Sequence, residues 1–141
     1  MKSLDTLIKL EQARVDDHRR LLADLQDVLN RIEAEIAALN LKRMVEEEVA
    51  REAEPLERVT LEQFLARVAQ RLAQLEKARQ DAAAAIALER ERLAEAFETQ
   101  KRYEIVRDQR AAAALAEEKR LEQMELDEIA GQSHERKDRH E

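Results

Sequence analysis

The sequence predicts an all-α fold, a long two-helix antiparallel coiled-coil hairpin whose second helix is longer than the first. Three observations predict it. Ala, Glu, Leu, Arg and Lys supply about two-thirds of the 141 residues, well above the share that marks long helices and coiled coils. Apolar residues recur every seven positions along two separate stretches, the spacing of helices that bury a narrow seam against each other. A single proline, Pro55, stands between those stretches, and the one glycine, Gly131, lies near the end.

The first helix is expected over about 3–53. Ile8, Val15, Leu22, Leu29 and Ile36 share one seam position, and Leu4, Leu25, Ile32 and Leu39 the other. Glu11 and His18 fall on that second position, while Leu7, Leu21 and Val28 widen the stripe beside the first. Beyond Leu39 the register slips, with Val45 and Val49 carrying the stripe toward the proline. A turn is expected over about 54–60. Pro55 lacks a backbone donor and biases Glu54 away from the helical region, and Thr60 with Gln63 reads as a capping box opening a second helix at about 61. Two alternatives stay open here: Pro55 is tolerated in the first turn of a helix starting at Glu54, and it could merely kink one continuous rod.

In the second helix, expected over about 61–130, Leu65, Leu72, Ile86 and Leu93 share one seam position, and Leu61, Val68, Leu75, Ala82, Ala96 and Tyr103 the other. A turn centred near residue 57 makes facing residues add to about 114, pairing Leu39 with Leu75, Ile32 with Ala82 and His18 with Ala96. That places residues 1–130 in one domain and leaves about 111–130 without an opposite number, although Leu115, Leu121, Met124, Leu126 and Ile129 recur along them. Such an overhang is a docking element in expectation. Residues 131–141 form a polar tail that reads as disordered.

The same composition narrows the function. Two Phe, one Tyr and no Trp are too little bulky apolar matter for a layered globular core. A net charge of −7 with both signs interspersed argues against nucleic acid as a partner. No cysteine is present, so neither a disulfide framework nor thiol chemistry is available. No stretch approaches the roughly 20 apolar residues of a membrane span, and Asp5, Lys9 and Glu11 interrupt any signal-peptide core. The expectation is a cytoplasmic protein without membrane insertion, monomeric when free. No catalytic, cofactor or metal site is expected: His134 and His140 are six apart where a zinc helix needs four, and no nucleophile has a base beside it. The patch that stands out is Lys101, Arg102, Arg107 and Arg110 interleaved with Tyr103; with Leu115, Leu121 and Leu126 of the overhang it forms the expected partner-binding set.

The segments Ser3–Leu25, Ala96–Val106 (Ala-Phe-Glu-Thr-Gln-Lys-Arg-Tyr-Glu-Ile-Val) and Glu125–Ala130 (Glu-Leu-Asp-Glu-Ile-Ala) resemble the FliJ family of flagellar type III export proteins, over nearly the whole chain and including the central break. The resemblance implies a non-enzymatic part of the flagellar export apparatus, peripheral to its membrane-embedded portion. It would be a coiled-coil stalk in the pore of the hexameric export ATPase, contacting the cytoplasmic domain of the export gate and assisting export chaperones. By that analogy the end bearing both termini would enter the ATPase ring and the middle or tip would face the gate, with no gate-binding residue assignable between Lys42 and Thr60. A generic coiled-coil adaptor or structural spacer is the competing reading.

Overall fold

The computed structural model describes residues 2–140, which form two helices, α1 (Lys2–Glu52) and α2 (Pro55–His140), and no strand among them. Expectations that touch Met1 or Glu141 lie outside the described residues.

The turn is shorter than the expected 54–60. Only Ala53 and Glu54 leave the helices, and the Arg58 amide already donates to the Glu54 carbonyl at 2.9 Å. Glu54 therefore caps α2 and Pro55 is its first helical residue, where the missing donor would have had no helical partner anyway. Arg58 Nη2 closes the corner on the Ala53 carbonyl at 3.5 Å. The capping box at Thr60 and Gln63 is not used as a helix start, since both lie within α2. At the other end the expected stop at Gly131 is absent. No positive φ occurs there, no proline follows, and the helix continues to His140 where a disordered tail was expected.

The chain divides into two units, residues 13–96 and residues 1–12 with 97–141. In the first unit, 13–52 of α1 runs antiparallel to 55–96 of α2, with Val15, Val68, Leu75, Ala82, Ile86 and Ala96 buried and Leu22, Leu25, Leu29, Ile32, Ile36 and Leu39 half-buried. Three contacts fix the register. His18 pairs with Glu89, the Arg71 guanidinium donates twice to Glu35 Oε1 at 3.0 and 3.1 Å, and Lys42 Nζ stands 5.2 Å from the centre of the Phe64 ring. The numbers of each pair add to 106 or 107, one heptad below the expected 114, so His18 meets Glu89 rather than Ala96. The physical reason is the turn: moving its centre from residue 57 to between 53 and 54 displaces every facing pair by seven.

The seam of α1 also keeps its phase past Leu39. Arg43, Glu46 and Ala50 are the half-buried positions there, whereas Val45 and Val49 are 56% and 52% exposed. The expected slip does not occur, and these valines face solvent. Arg43 Nε is buried without a hydrogen bond, its nearest carboxylate oxygen, Glu47 Oε1, being 3.7 Å away.

In the second unit, Leu4, Ile8 and Glu11 of α1 are buried, and Thr99, Gln100, Tyr103, Glu104 and Val106 of α2 are half-buried. Val106 is the last of these. From Arg107 to Arg139 every residue is exposed, so the exposed stretch begins four residues before the expected Ala111. At 1.5 Å per residue it extends on the order of 50 Å.

Candidate partner-binding surfaces

Two surfaces stand out from a solvated helix, one in each unit. The first carries the residues singled out from the sequence. Lys101 Nζ lies 5.3 Å over the Phe97 ring, Arg102 Nη2 donates to Glu98 Oε1 at 2.7 Å, and Arg107 Nε donates to Asp108 Oδ1 at 3.2 Å. Tyr103 is half-buried and Arg110 exposed. With about 100° between successive residues, Lys101 and Arg110 point to opposite sides of α2, and Arg102 and Arg107 lie between. The cations encircle the helix instead of lining one face, and two of them are partly neutralised by acidic neighbours on the same helix.

Leu115, Leu121 and Leu126 are 52%, 53% and 60% exposed. Leu121 and Met124 continue the phase of the seam, while Leu115, Leu126 and Ile129 fall on the other side of the helix. Arg120 braces the middle of this stretch, donating to both carboxylate oxygens of Glu117 at 2.6 and 3.0 Å and reaching Met124 Sδ at 3.1 Å. The hydrogen bond from Arg120 holds the Glu117 carboxyl below its ordinary value. The same arrangement in the first unit, Arg79 on Glu76 at 2.5 and 2.9 Å, lowers the Glu76 carboxyl for the same reason.

Sequence reasoning missed the second surface. On α1, Leu41, Met44, Val45 and Val49 are 52% to 65% exposed and recur at helical spacing on the side away from the seam, continuing the line of Ala34, Ala37 and Ala38. Leu56 and Val59 of α2 are also exposed near the turn. The signal that could have found it is phase. The heptad of Leu25, Ile32 and Leu39 predicts Glu46 for the next seam position, which turns Val45 and Val49 outward.

An open groove of ≈ 570 Å³ near the turn is lined by Glu47, Ala50, Arg51, Arg58, Glu62 and Leu65, two cations and two anions in contact with water. Arg51 is also within 3.2 Å of Glu48. Among the described residues no group of three or more His, Asp or Glu is placed to hold a metal ion. His134 Nε2 instead lies 3.6 Å from Asp138, and the side chain of His140 lies outside the described residues. No described helix is long and apolar enough to cross a membrane.

Among the described residues the hairpin leaves two apolar-bearing surfaces exposed, the end of α2 beyond Val106 and the outward side of α1 near the turn. No curated protein and no solved structure matches the chain. Its residues 1–139 match the family described as flagellar FliJ protein, and with all but the last two residues covered, the chain belongs to the FliJ family of flagellar type III export components.

Proposed function

We propose that the protein is a non-enzymatic stalk of the export apparatus, which engages the hexameric export ATPase through the unit bearing the termini and the cytoplasmic domain of the export gate through the outward stripe of α1, and which assists export chaperones. The observation that carries this reading is the exposed stretch of α2 beyond Val106. Over thirty consecutive helical residues remain exposed after Val106, yet isolated helices are marginal in water unless a face is covered, and Leu115, Leu121 and Leu126 supply apolar contacts for a partner. Lys101, Arg102, Arg107 and Arg110 encircle its beginning, with Tyr103 between them. Charges distributed around a helix suit a contact that passes from one ring subunit to the next, each charge contributing little and screened by salt. On α1, Leu41, Met44, Val45 and Val49 present the kind of apolar helix face that lies in a partner's groove. A position on the cytoplasmic side, peripheral to the membrane, fits this role.

The test is ATP hydrolysis by the matching export ATPase with the wild type or with Arg107→Glu combined with Arg110→Glu, circular dichroism serving as the folding control. Stimulation by the wild type that weakens at high ionic strength and is lost in the folded double variant is the expected result. Undiminished stimulation by that variant removes the basic ring from the mechanism, and no stimulation by the wild type favours an adaptor or spacer.

A further inference from the structure

A heptad seam is nearly blind to a slip of one heptad, because every seam residue then meets another seam residue. In the unit of residues 13–96 two alignments are open to the same helices. In the observed one Ile32 falls opposite Leu75 and Leu39 opposite Val68; after a slip of seven residues, about 10 Å along the axis, Ile32 faces Ala82 and Leu39 faces Leu75. Apolar residues meet in both. The surface pair chooses weakly, since Glu35 and Arg71 are both exposed and an exposed ion pair contributes little.

One contact does choose. Glu89 is only 2% exposed and its carboxylate is paired with His18 from the other helix, with Arg92 Nη1 at 3.8 Å. After the slip Glu89 would face Leu25 and His18 would face Ala96. A buried carboxylate stripped of its cross-helix partner is strongly unfavourable, whereas the apolar pairs on either side change little.

A second observation points to the slipped alignment as a built state. The slip moves the turn from 53–54 to about residue 57, which requires the first turn of α2 to unwind. Thr60 and Gln63 then form the N-terminal capping box of the shortened helix, the feature that lies unused inside α2 at present.

We propose that residues 13–96 form a two-register hairpin, locked in the observed register by the His18–Glu89 pair and able to slip one heptad into an alternative register in which residues 54–59 form the loop and Thr60 caps α2. The lock is a part-buried polar pair flanked in the seam by Val15 and Leu22 on one helix and Ile86 and Leu93 on the other, a placement that specifies alignment at some expense of stability.

The experiment moves the lock. Two reporters share one cysteine: Ile32→Cys with Leu75→Cys reads the observed register, and Ile32→Cys with Ala82→Cys the slipped one, since a disulfide needs backbones within about 7 Å. On the native background in dilute solution, only the first reporter is expected to oxidise to a disulfide-closed monomer. In His18→Leu with Leu25→His the histidine faces Glu89 only after the slip, and the ratio of the second disulfide to the first is expected to rise about tenfold or more. A relocated variant that is helical by circular dichroism yet closes only the first reporter overturns the proposal, as does equal oxidation of both reporters on the native background. If the relocated variant is not helical, His18→Leu with Glu89→Leu decides. The layer of the lock is then apolar in both alignments, so oxidation of the second reporter must rise there, and its failure to do so is equally fatal.

Discussion

Residues 15–39 and 41–50 of α1 belong to one helix and one heptad phase, yet they use it in opposite ways. In the first stretch Val15, Leu22, Leu29 and Ile36 turn inward and the outer face is mostly charged. In the second the inward positions are Arg43 and Glu46, while Leu41, Met44, Val45 and Val49 face outward. A helix that places its best apolar residues on the unpaired side gives up seam stability where it has a choice. Apolar side chains left in water forgo stabilisation in proportion to their exposed area, a cost that the proposed partner contact would relieve. Hydrophobicity alone therefore does not locate the core of a coiled coil; phase does.

The sharpest way to test the contrast is to delete equal amounts of side chain from each face. Leu75→Ala removes a residue that is 4% exposed in the seam and is expected to lower unfolding free energy by about 2 kcal/mol or more. Leu41→Ala, from a side chain 65% exposed, should change it by no more than about 0.5 kcal/mol. Chemical denaturation followed by circular dichroism checks both, and equal losses would dissolve the distinction between the faces.

An intermediate effect is expected from charge on the outward stripe. Leu41→Glu with Val45→Glu should leave helicity and thermal midpoint close to wild type but weaken capture of the cytoplasmic domain of the export gate about tenfold or more, as loss of apolar anchors does. Full retention of binding would remove the stripe from the gate contact.

The smallest effect concerns acid. Arg79 holds the Glu76 carboxyl below its ordinary value, and Arg120 does the same for Glu117, in each case through a side-chain hydrogen bond. A lowered carboxyl pKa favours the folded form above the ordinary carboxylate range, and that contribution is lost as pH falls through the folded value. The difference in thermal midpoint between wild type and Arg79→Gln should therefore be largest near neutrality and shrink in acid. Because the pair is exposed it should remain small throughout. A difference that grows in acid would contradict the assignment.

What the sequence makes legible, and what it hides, follows the same division. The seam residues from Val15 to Leu39 and from Leu61 to Ala96 are readable because two-helix packing imposes a period that survives substitution. Their alignment is not, since a seven-residue repeat is unchanged by a seven-residue shift. The tie is broken by His18 and Glu89, polar residues whose pairing no periodicity encodes. The start of α2 is hard to place because Thr60 and Gln63 send a strong start signal, while Pro55 is compatible with both a break and a first turn. The final helical residues read as coil on polarity alone, although nothing after Gly131 forbids helix. Of the proposed partner-binding residues, Leu115, Leu121 and Leu126 can be found as apolar residues without opposite numbers. The stripe from Leu41 to Val49 is found only by holding the heptad phase through Glu46, because Val45 and Val49 taken alone also read as a continuation of the seam.

The two-residue corner at Ala53 and Glu54 also sets an order of assembly. Contacts beside it are local: Lys42 and Phe64 are 22 positions apart in the chain and Glu35 and Arg71 are 36, whereas His18 and Glu89 are separated by 71. Closing a loop costs entropy that grows with its length, so the helices should zip from the corner outward, each layer shortening the loop that the next must close. During synthesis α1 leaves the ribosome with no partner, and the corner emerges before most of α2. Alignment is thus first chosen where the seam is least discriminating, and it is checked only when Glu89 reaches His18, by a pair that forms late and accepts one register.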